Sequence, residues 1–197
     1  MRDYRLISAD SHIIEPPDLW TTRLPEQYKA RAPRIESFPQ GDAYVMESAL
    51  DPMNFGGNCA AGIPIDKKSA WVRWEDVRPG GYDPAARLLE QDQDGVDAEV
   101  LYPTPRVSNT LFWHTEDPDF HLACIQAYND WLAEYCAHAP DRLWGIALMP
   151  NIGVDAAVAE MQRMTARPGI AGVQLGQWPS GGLDISDADD AFFAACE

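Results

Sequence analysis

Three side chains that can bind a metal ion or move a proton lie close together near the amino terminus. The segment ADSHIIEPPDLW, residues 9–20, contains Asp10, His12 and Glu15. Side chains two residues apart on a strand point to the same side, so Ser8, Asp10 and His12 are predicted to share one face. A carboxylate oxygen and an imidazole nitrogen at this spacing can bind one divalent ion. Glu15 could be a third ligand, a hydrogen-bond partner of His12 or a contact to the substrate.

The same residues also have an ordinary structural interpretation. Asp10 could cap a turn, His12 could be a polar loop residue, and Glu15 could be solvated ahead of the rigid Pro16-Pro17 pair. Two donors alone do not make a metal site, so the elements that position them must decide between the two interpretations.

Short apolar strands alternate with helices over most of the chain. Strands are predicted over residues 4–10, 96–104, 143–150 and 170–176, and helices begin at Asp83, Asp117, Val154 and Ser186. This alternation predicts an α/β fold with a parallel sheet, and it leaves open whether the sheet is open or part of a closed barrel. Residues 16–81 are predicted to form a long irregular insertion after strand 1, with one strand-like piece over residues 43–47.

The composition is that of an acidic globular protein. Fifteen basic residues against thirty-one acidic ones give a net charge of -16, so nucleic acids and anionic membrane surfaces are disfavoured as partners. No apolar run approaches the ~20 residues of a membrane span, and the Met1 end lacks the features of a signal peptide. We therefore expect a cytoplasmic protein. The two edges that a four-stranded sheet would leave unpaired favour association into a homo-oligomer.

Four quoted segments together carry a resemblance to a known family. RLISADSHIIEPPDLW, YNDWLAEYC, PDRLWGIALMP and GVQLG resemble, in order and spacing, the amidohydrolase-related (amidohydrolase 2) family, which includes aminocarboxymuconate semialdehyde decarboxylase and aromatic-acid decarboxylases. The resemblance implies a (β/α)8 TIM barrel. About the first four βα units would be present, plus the insertion, as a single domain over residues 1–197.

The resemblance also implies a divalent metal ion at the carboxyl end of the strands, with zinc expected first and manganese second. Asp10 and His12 occupy the two positions of the family's usual HxH motif. Family members supply a further histidine from strand 5 and a catalytic aspartate from strand 8, so the catalytic residues are unknown here and we expect an amino-terminal portion of a longer protein. The implied activity is that of a metal-dependent hydrolase or decarboxylase.

Substrate-binding residues are predicted in the segment that follows the second barrel strand, PTPRVSNTLFWHTED. In a barrel this segment would lie over the mouth, where Arg106 could pair with a substrate carboxylate and Trp113 and His114 could line the pocket. The family resemblance implies a small-molecule substrate, a cyclic or aromatic carboxylate, and Arg106 is the local support for it. The alternative is a solvated loop. Two other functions remain open: a catalytically silent half-barrel that acts only by association, and a metal-free open-sheet binding protein.

Overall fold

The computed structural model describes residues 3–47, 49–113 and 116–197. The strands and α-helices in these ranges follow one another as β1 (Ile7–His12), α1 (Leu19–Arg23), β2 (Arg34–Phe38), β3 (Gly41–Val45), β4 (Met53–Asn54), α2 (Pro84–Asp94), β5 (Ala98–Tyr102), α3 (Pro105–Trp113), α4 (Pro118–Ala137), β6 (Leu143–Leu148), α5 (Val154–Thr165), β7 (Ile170–Gln174) and α6 (Asp190–Ala195). None of the described helices is both long and apolar enough to cross a membrane.

The main sheet has four parallel strands in the order β1-β5-β6-β7. Helices connect the successive strands, as the alternation in the sequence predicts. One face packs against helices, because Gly145 of β6 lies against Leu132 and Cys136 of α4. The opposite face carries Trp144 and Ile146, which are half-buried. The prediction of an α/β fold built from consecutive βα units is confirmed.

Two of the predicted helix starts, at Asp83 and Asp117, are confirmed by capping hydrogen bonds. The Asp83 carboxylate accepts hydrogen bonds from two backbone amides in the first turn of α2, at 2.8 and 3.1 Å. The Asp117 carboxylate accepts one from the first turn of α4, at 3.1 Å. Gly95 ends α2 with φ +71°, the left-handed conformation that glycine adopts most easily. Local sequence signals therefore set the ends of these two helices.

The insertion is more regular than its sequence predicts. Strands β2, β3 and β4 form a three-stranded antiparallel sheet, of which only the region of β3 was expected as a strand. Tyr44 and Phe55 from this part are buried in the same hydrophobic cluster as Ile14 and Leu101 of the main body. The interpretation of residues 16–81 as irregular is wrong because tertiary packing stabilises strands whose sequence pattern is weak.

The segment after β5 is a helix over Pro105–Trp113, so the alternative of a solvated loop is wrong for these residues. In α3 the apolar side chains of Val107, Leu111 and Phe112 are all buried, and the first two are four residues apart. This spacing places them on one face of a helix, against the core. The backbone of Arg106 is therefore fixed in the first turn of a packed helix.

Packing between β6 and α4 allows a direct test. A β-carbon on Gly145 would lie 2.9 Å from Cys136 Sγ and 2.9 Å from Leu132 Cγ. Gly145→Ala is therefore expected to lower the free energy of unfolding by about 1–3 kcal/mol through overpacking, as measured by urea denaturation. Gly57→Ala is the matched control, since no atom lies within 4 Å of its added carbon. Equal effects of the two substitutions would contradict the observed packing.

Candidate metal centre

The structure brings Asp10 and His12 together at the carboxyl end of β1. His12 Nε2 lies 3.5 Å from Asp10 Oδ1, and the Asp10 side chain is 81% exposed. The pairing register between β1 and β5 shifts between Ser8 and Ser11, as at a β-bulge. Ser8 Oγ consequently lies 2.7 Å from Ser11 Oγ. The prediction that Ser8 shares the face of Asp10 and His12 is thus wrong, because the bulge interrupts the alternation.

The orientation of His12 is set by its other ring nitrogen. His12 Nδ1 lies 2.8 Å from the carbonyl oxygen of Pro103. Because a carbonyl oxygen can only accept, the neutral imidazole carries its proton on Nδ1 and leaves the Nε2 lone pair facing Asp10. Backbone carbonyls commonly orient metal-binding histidines in this way.

The pair fits a divalent cation. Two ligands about 2.1 Å from one tetrahedral ion lie roughly 3.4 Å apart, close to the 3.5 Å between Asp10 Oδ1 and His12 Nε2. An oxygen and a nitrogen donor suit both zinc and manganese. No group of three or more potential metal ligands occurs within the described ranges, so these two residues form an incomplete ligand set.

A buried ion pair supports the backbone around the bulge. Arg87 of α2 donates to both carboxylate oxygens of Glu99 in β5, at 2.6 and 3.0 Å, and its Nη1 donates to the carbonyl of His12 at 3.2 Å. Ser11 Oγ donates to the same carboxylate at 2.9 Å. Burial raises the pKa of Glu99, but the Arg87 guanidinium outweighs it and leaves this pKa below its ordinary value. The sequence prediction missed both residues, although an acid inside the apolar strand AEVLY was a usable signal.

Glu15 does not join Asp10 and His12. Its side chain is completely buried, and its Oε1 accepts a hydrogen bond from the backbone amide of Thr104 at 2.9 Å. Tyr44 of the inserted sheet donates to the Glu15 carbonyl at 2.9 Å and lies 3.4 Å from Oε2. Burial raises the pKa of Glu15, and these hydrogen bonds oppose the rise. Of the sequence-based alternatives for Glu15, the contacts favour a supporting role near His12.

Arg106 is directed at the inserted sheet. Its Nη1 donates to Asn54 Oδ1 of β4 at 3.0 Å, and it lines an open depression of about 460 Å³ together with Met53 and Thr110. His12 borders a separate recess of about 30 Å³, which also contains Asn58. The structure therefore does not place Arg106 in the recess at His12. His114 and the side chain of Trp113, the other two predicted substrate contacts, lie outside the described residues.

Consecutive parallel βα units, with polar side chains gathered at the carboxyl end of the first strand, are the arrangement of α/β barrels of the TIM type. Residues 10–197 match the family model described as amidohydrolase. The chain belongs to the amidohydrolase family, as the quoted segments predicted.

Solved structures share the fold. An amidohydrolase from Mycobacterium avium subsp. paratuberculosis K-10 superposes with a TM-score of 0.67 at 22% identity, covering 98% of this chain and 55% of that one. The 5-carboxyvanillate decarboxylase of Novosphingobium aromaticivorans DSM 12444, solved with bound manganese, superposes with a TM-score of 0.56 at 18% identity, covering 98% and 47%. The predicted barrel-type fold, present in part, is thereby confirmed.

A curated protein is also similar to this chain in sequence. The 2-amino-3-carboxymuconate-6-semialdehyde decarboxylase of Dictyostelium discoideum is 27% identical over 119 residues, which cover 60% of this chain and 31% of the relative. The chain thus spans about half the length of the solved structures it resembles, and the match covers about a third of this curated relative.

Proposed function

We propose that the chain provides Asp10 and His12 as two ligands of a divalent-metal site in a hydrolase or decarboxylase. The observation that carries this proposal is the 3.5 Å separation of Asp10 Oδ1 and His12 Nε2, with the His12 lone pair facing the carboxylate. The pair lies at the carboxyl end of a parallel strand, where barrel enzymes build their active sites. Further ligands would come from later strands of a complete barrel.

The relatives support a decarboxylase and a carboxylate-bearing substrate. Both the Dictyostelium and the Novosphingobium proteins are named as decarboxylases of such compounds. A bound divalent ion would polarise a substrate oxygen and lower the pKa of a bound water. His12 and Asp10 would hold that ion, while Arg106, once released from Asn54, could pair with a substrate carboxylate. We propose a small cyclic or aromatic carboxylate as substrate, in a cytoplasmic homo-oligomer.

Metal titration tests the two ligands. Asp10→Asn and His12→Gln are each expected to weaken binding of Zn²⁺ or Mn²⁺ by ~100-fold or more, as measured by isothermal titration calorimetry on metal-depleted protein. The donor lost in each variant cannot be replaced by a neighbouring side chain, because no third potential ligand is clustered with the pair in the described ranges. Because zinc binds most sites of nitrogen and oxygen donors more tightly than manganese whichever ion a protein uses, metal analysis of the protein as purified, and not the relative affinities, decides between the two ions.

Two exposed residues serve as matched controls for this titration. Asp66→Asn and His138→Gln remove the same functional groups from exposed positions elsewhere, so both should bind metal as the wild-type protein does. Equal affinity in all four variants would overturn the proposed site. Metal binding by a chain that converts no carboxylate substrate would favour the catalytically silent half-barrel.

A further inference from the structure

One peptide unit connects His12 to Glu15. The carbonyl oxygen of Pro103 lies 2.8 Å from His12 Nδ1, and the amide nitrogen of the next residue, Thr104, lies 2.9 Å from Glu15 Oε1. The carbonyl and N–H of a trans peptide point in opposite directions. The segment from His12 to Glu15 therefore holds this single peptide from both sides.

The two hydrogen bonds support each other. An acceptor on the N–H of a peptide polarises its carbonyl oxygen, which then accepts a stronger hydrogen bond. Here the acceptor is the Glu15 carboxyl group in a fully buried setting, where water does not compete. The Glu15 oxygen thus fixes the plane of the peptide and strengthens the carbonyl that receives the His12 Nδ1 proton.

Glu15 and Thr104 are themselves held by neighbouring groups. Tyr44 of β3 donates to its backbone carbonyl, and Thr104 Oγ1 donates to the carbonyl of Ile13 at 3.2 Å. Asn58, from the insertion, donates to the same Thr104 hydroxyl at 3.2 Å. The insertion and the ends of two barrel strands therefore meet at the Pro103–Thr104 peptide, which explains how this segment is kept rigid.

We propose that Glu15 is a positioning residue that fixes the Nδ1-protonated tautomer of His12 through the Pro103–Thr104 peptide. The Nε2 lone pair is thereby kept available beside Asp10. This inference rests on the proposed function, because it gives His12 the role of a metal ligand. Glu15 itself touches neither the metal nor the substrate in this scheme.

The tautomer can be observed in metal-free protein. Long-range ¹H–¹⁵N correlation spectra of histidine-labelled protein distinguish protonated from unprotonated ring nitrogens, and the signals absent from His12→Gln assign the ring. At about pH 8, where an ordinary histidine is neutral, wild-type His12 is expected to show one tautomer with the proton on Nδ1. The opposite tautomer in the wild-type spectrum would overturn the proposal.

Two substitutions of Glu15 distinguish the position of its acceptor oxygen from its negative charge. Glu15→Gln keeps an oxygen at the same distance from Thr104, so it should retain the single tautomer. Glu15→Asp keeps the carboxylate but is one methylene shorter, so His12 should populate both tautomers. Glu15→Leu, with similar volume and no acceptor, should behave like the aspartate variant and serves if that variant does not fold. Tyr44→Phe removes the hydrogen bond to the Glu15 backbone carbonyl but leaves the Oε1 acceptor for the Thr104 amide in place. It should keep the single tautomer, and it is therefore the control for general loosening of this region.

The affinity for Mn²⁺ provides the second readout. Glu15→Asp is expected to weaken it by ~10-fold or more, and Glu15→Gln much less. The positioning role is refuted if the glutamine and aspartate variants give the same tautomer spectrum. This holds whether that shared spectrum matches the wild type or differs from it. If the variants separate as expected while the wild-type protein binds no metal, the positioning role stands and the proposed function fails.

Discussion

Replacing Arg87 with methionine is expected to lower the free energy of unfolding by about 3–5 kcal/mol, because it leaves the Glu99 carboxylate buried without its cation. The two side chains are only 14% and 10% exposed, and two hydrogen bonds join them. The variant also loses the hydrogen bond from Arg87 to the His12 carbonyl. Guanidinium chloride denaturation near neutral pH measures the effect on stability, and metal titration measures the effect on the site.

Two further variants make this test specific. Arg78→Met removes an arginine whose ion pair with Glu90 is more exposed, with side chains 44% and 27% exposed, so it should cost only about 1 kcal/mol. The double variant Arg87→Met/Glu99→Leu removes the unpaired charge and should recover much of the lost stability. An Arg87→Met variant as stable as Arg78→Met would show that the ion pair does not form as described.

The same ion pair predicts a dependence on pH. Although burial raises the pKa of Glu99, Arg87 leaves it below the ordinary value of 4.5. A lowered acid pKa adds stability that is present above the unfolded-state pKa and is lost as the pH falls through the folded-state pKa. In Arg87→Met, burial still raises the pKa of Glu99, but no guanidinium group opposes that rise. The difference in stability between wild type and variant should therefore be largest near neutral pH and smaller at about pH 3. A difference that grows on acidification would contradict this account.

Asn129→Ala is expected to lower the free energy of unfolding by about 3 kcal/mol or more, because several buried polar groups lose their partner at once. Asn129 Nδ2 donates to the Leu148 carbonyl at 2.8 Å and to Glu160 Oε1 at 2.6 Å, and Asn129 Oδ1 accepts from the Leu148 amide at 2.8 Å. This one side chain ties α4 to the end of β6 and to α5. Thermal and urea denaturation both report the loss.

Gln126→Ala is the matched control for Asn129→Ala. Gln126 lies one turn earlier on α4 and makes a single 3.2 Å hydrogen bond to Glu160 Oε2, from a half-buried position. Its substitution should cost about 1 kcal/mol. Comparable losses from the two alanine variants would mean that the hydrogen bonds to Leu148 contribute little to stability.

Much of the main body was predictable because its signals are local. The strands of the parallel sheet and the starts of α2 and α4 follow from apolar runs and from aspartate-proline pairs within a few residues. The two-residue spacing of Asp10 and His12 likewise predicted that they could meet. Family membership followed from four short segments, nearly all of which lie in the range that the family model matches.

The insertion and α3 were not predicted correctly because their stability depends on distant partners. Tyr44 is a strand residue whose hydroxyl reaches Glu15, 29 positions away. The polar composition of the α3 segment is also typical of a loop. The burial of Val107 and Leu111 in the folded protein is what distinguishes it as a packed helix. Propensity is a weak guide where tertiary burial supplies the free energy.

The sequence by itself determined which side chains could bind a cation and that they stand near the end of the first strand. Only the tertiary structure decided which groups hold them there: the bulge that separates Ser8 from their face, the Arg87–Glu99 pair, and the peptide that joins His12 to a glutamate three residues later. The physical reason is that Thr104 and Glu15 are 89 positions apart in the sequence. A hydrogen bond between such distant residues produces no periodic pattern from which it could be predicted. Burial makes that bond strong, and burial is a property of the folded molecule.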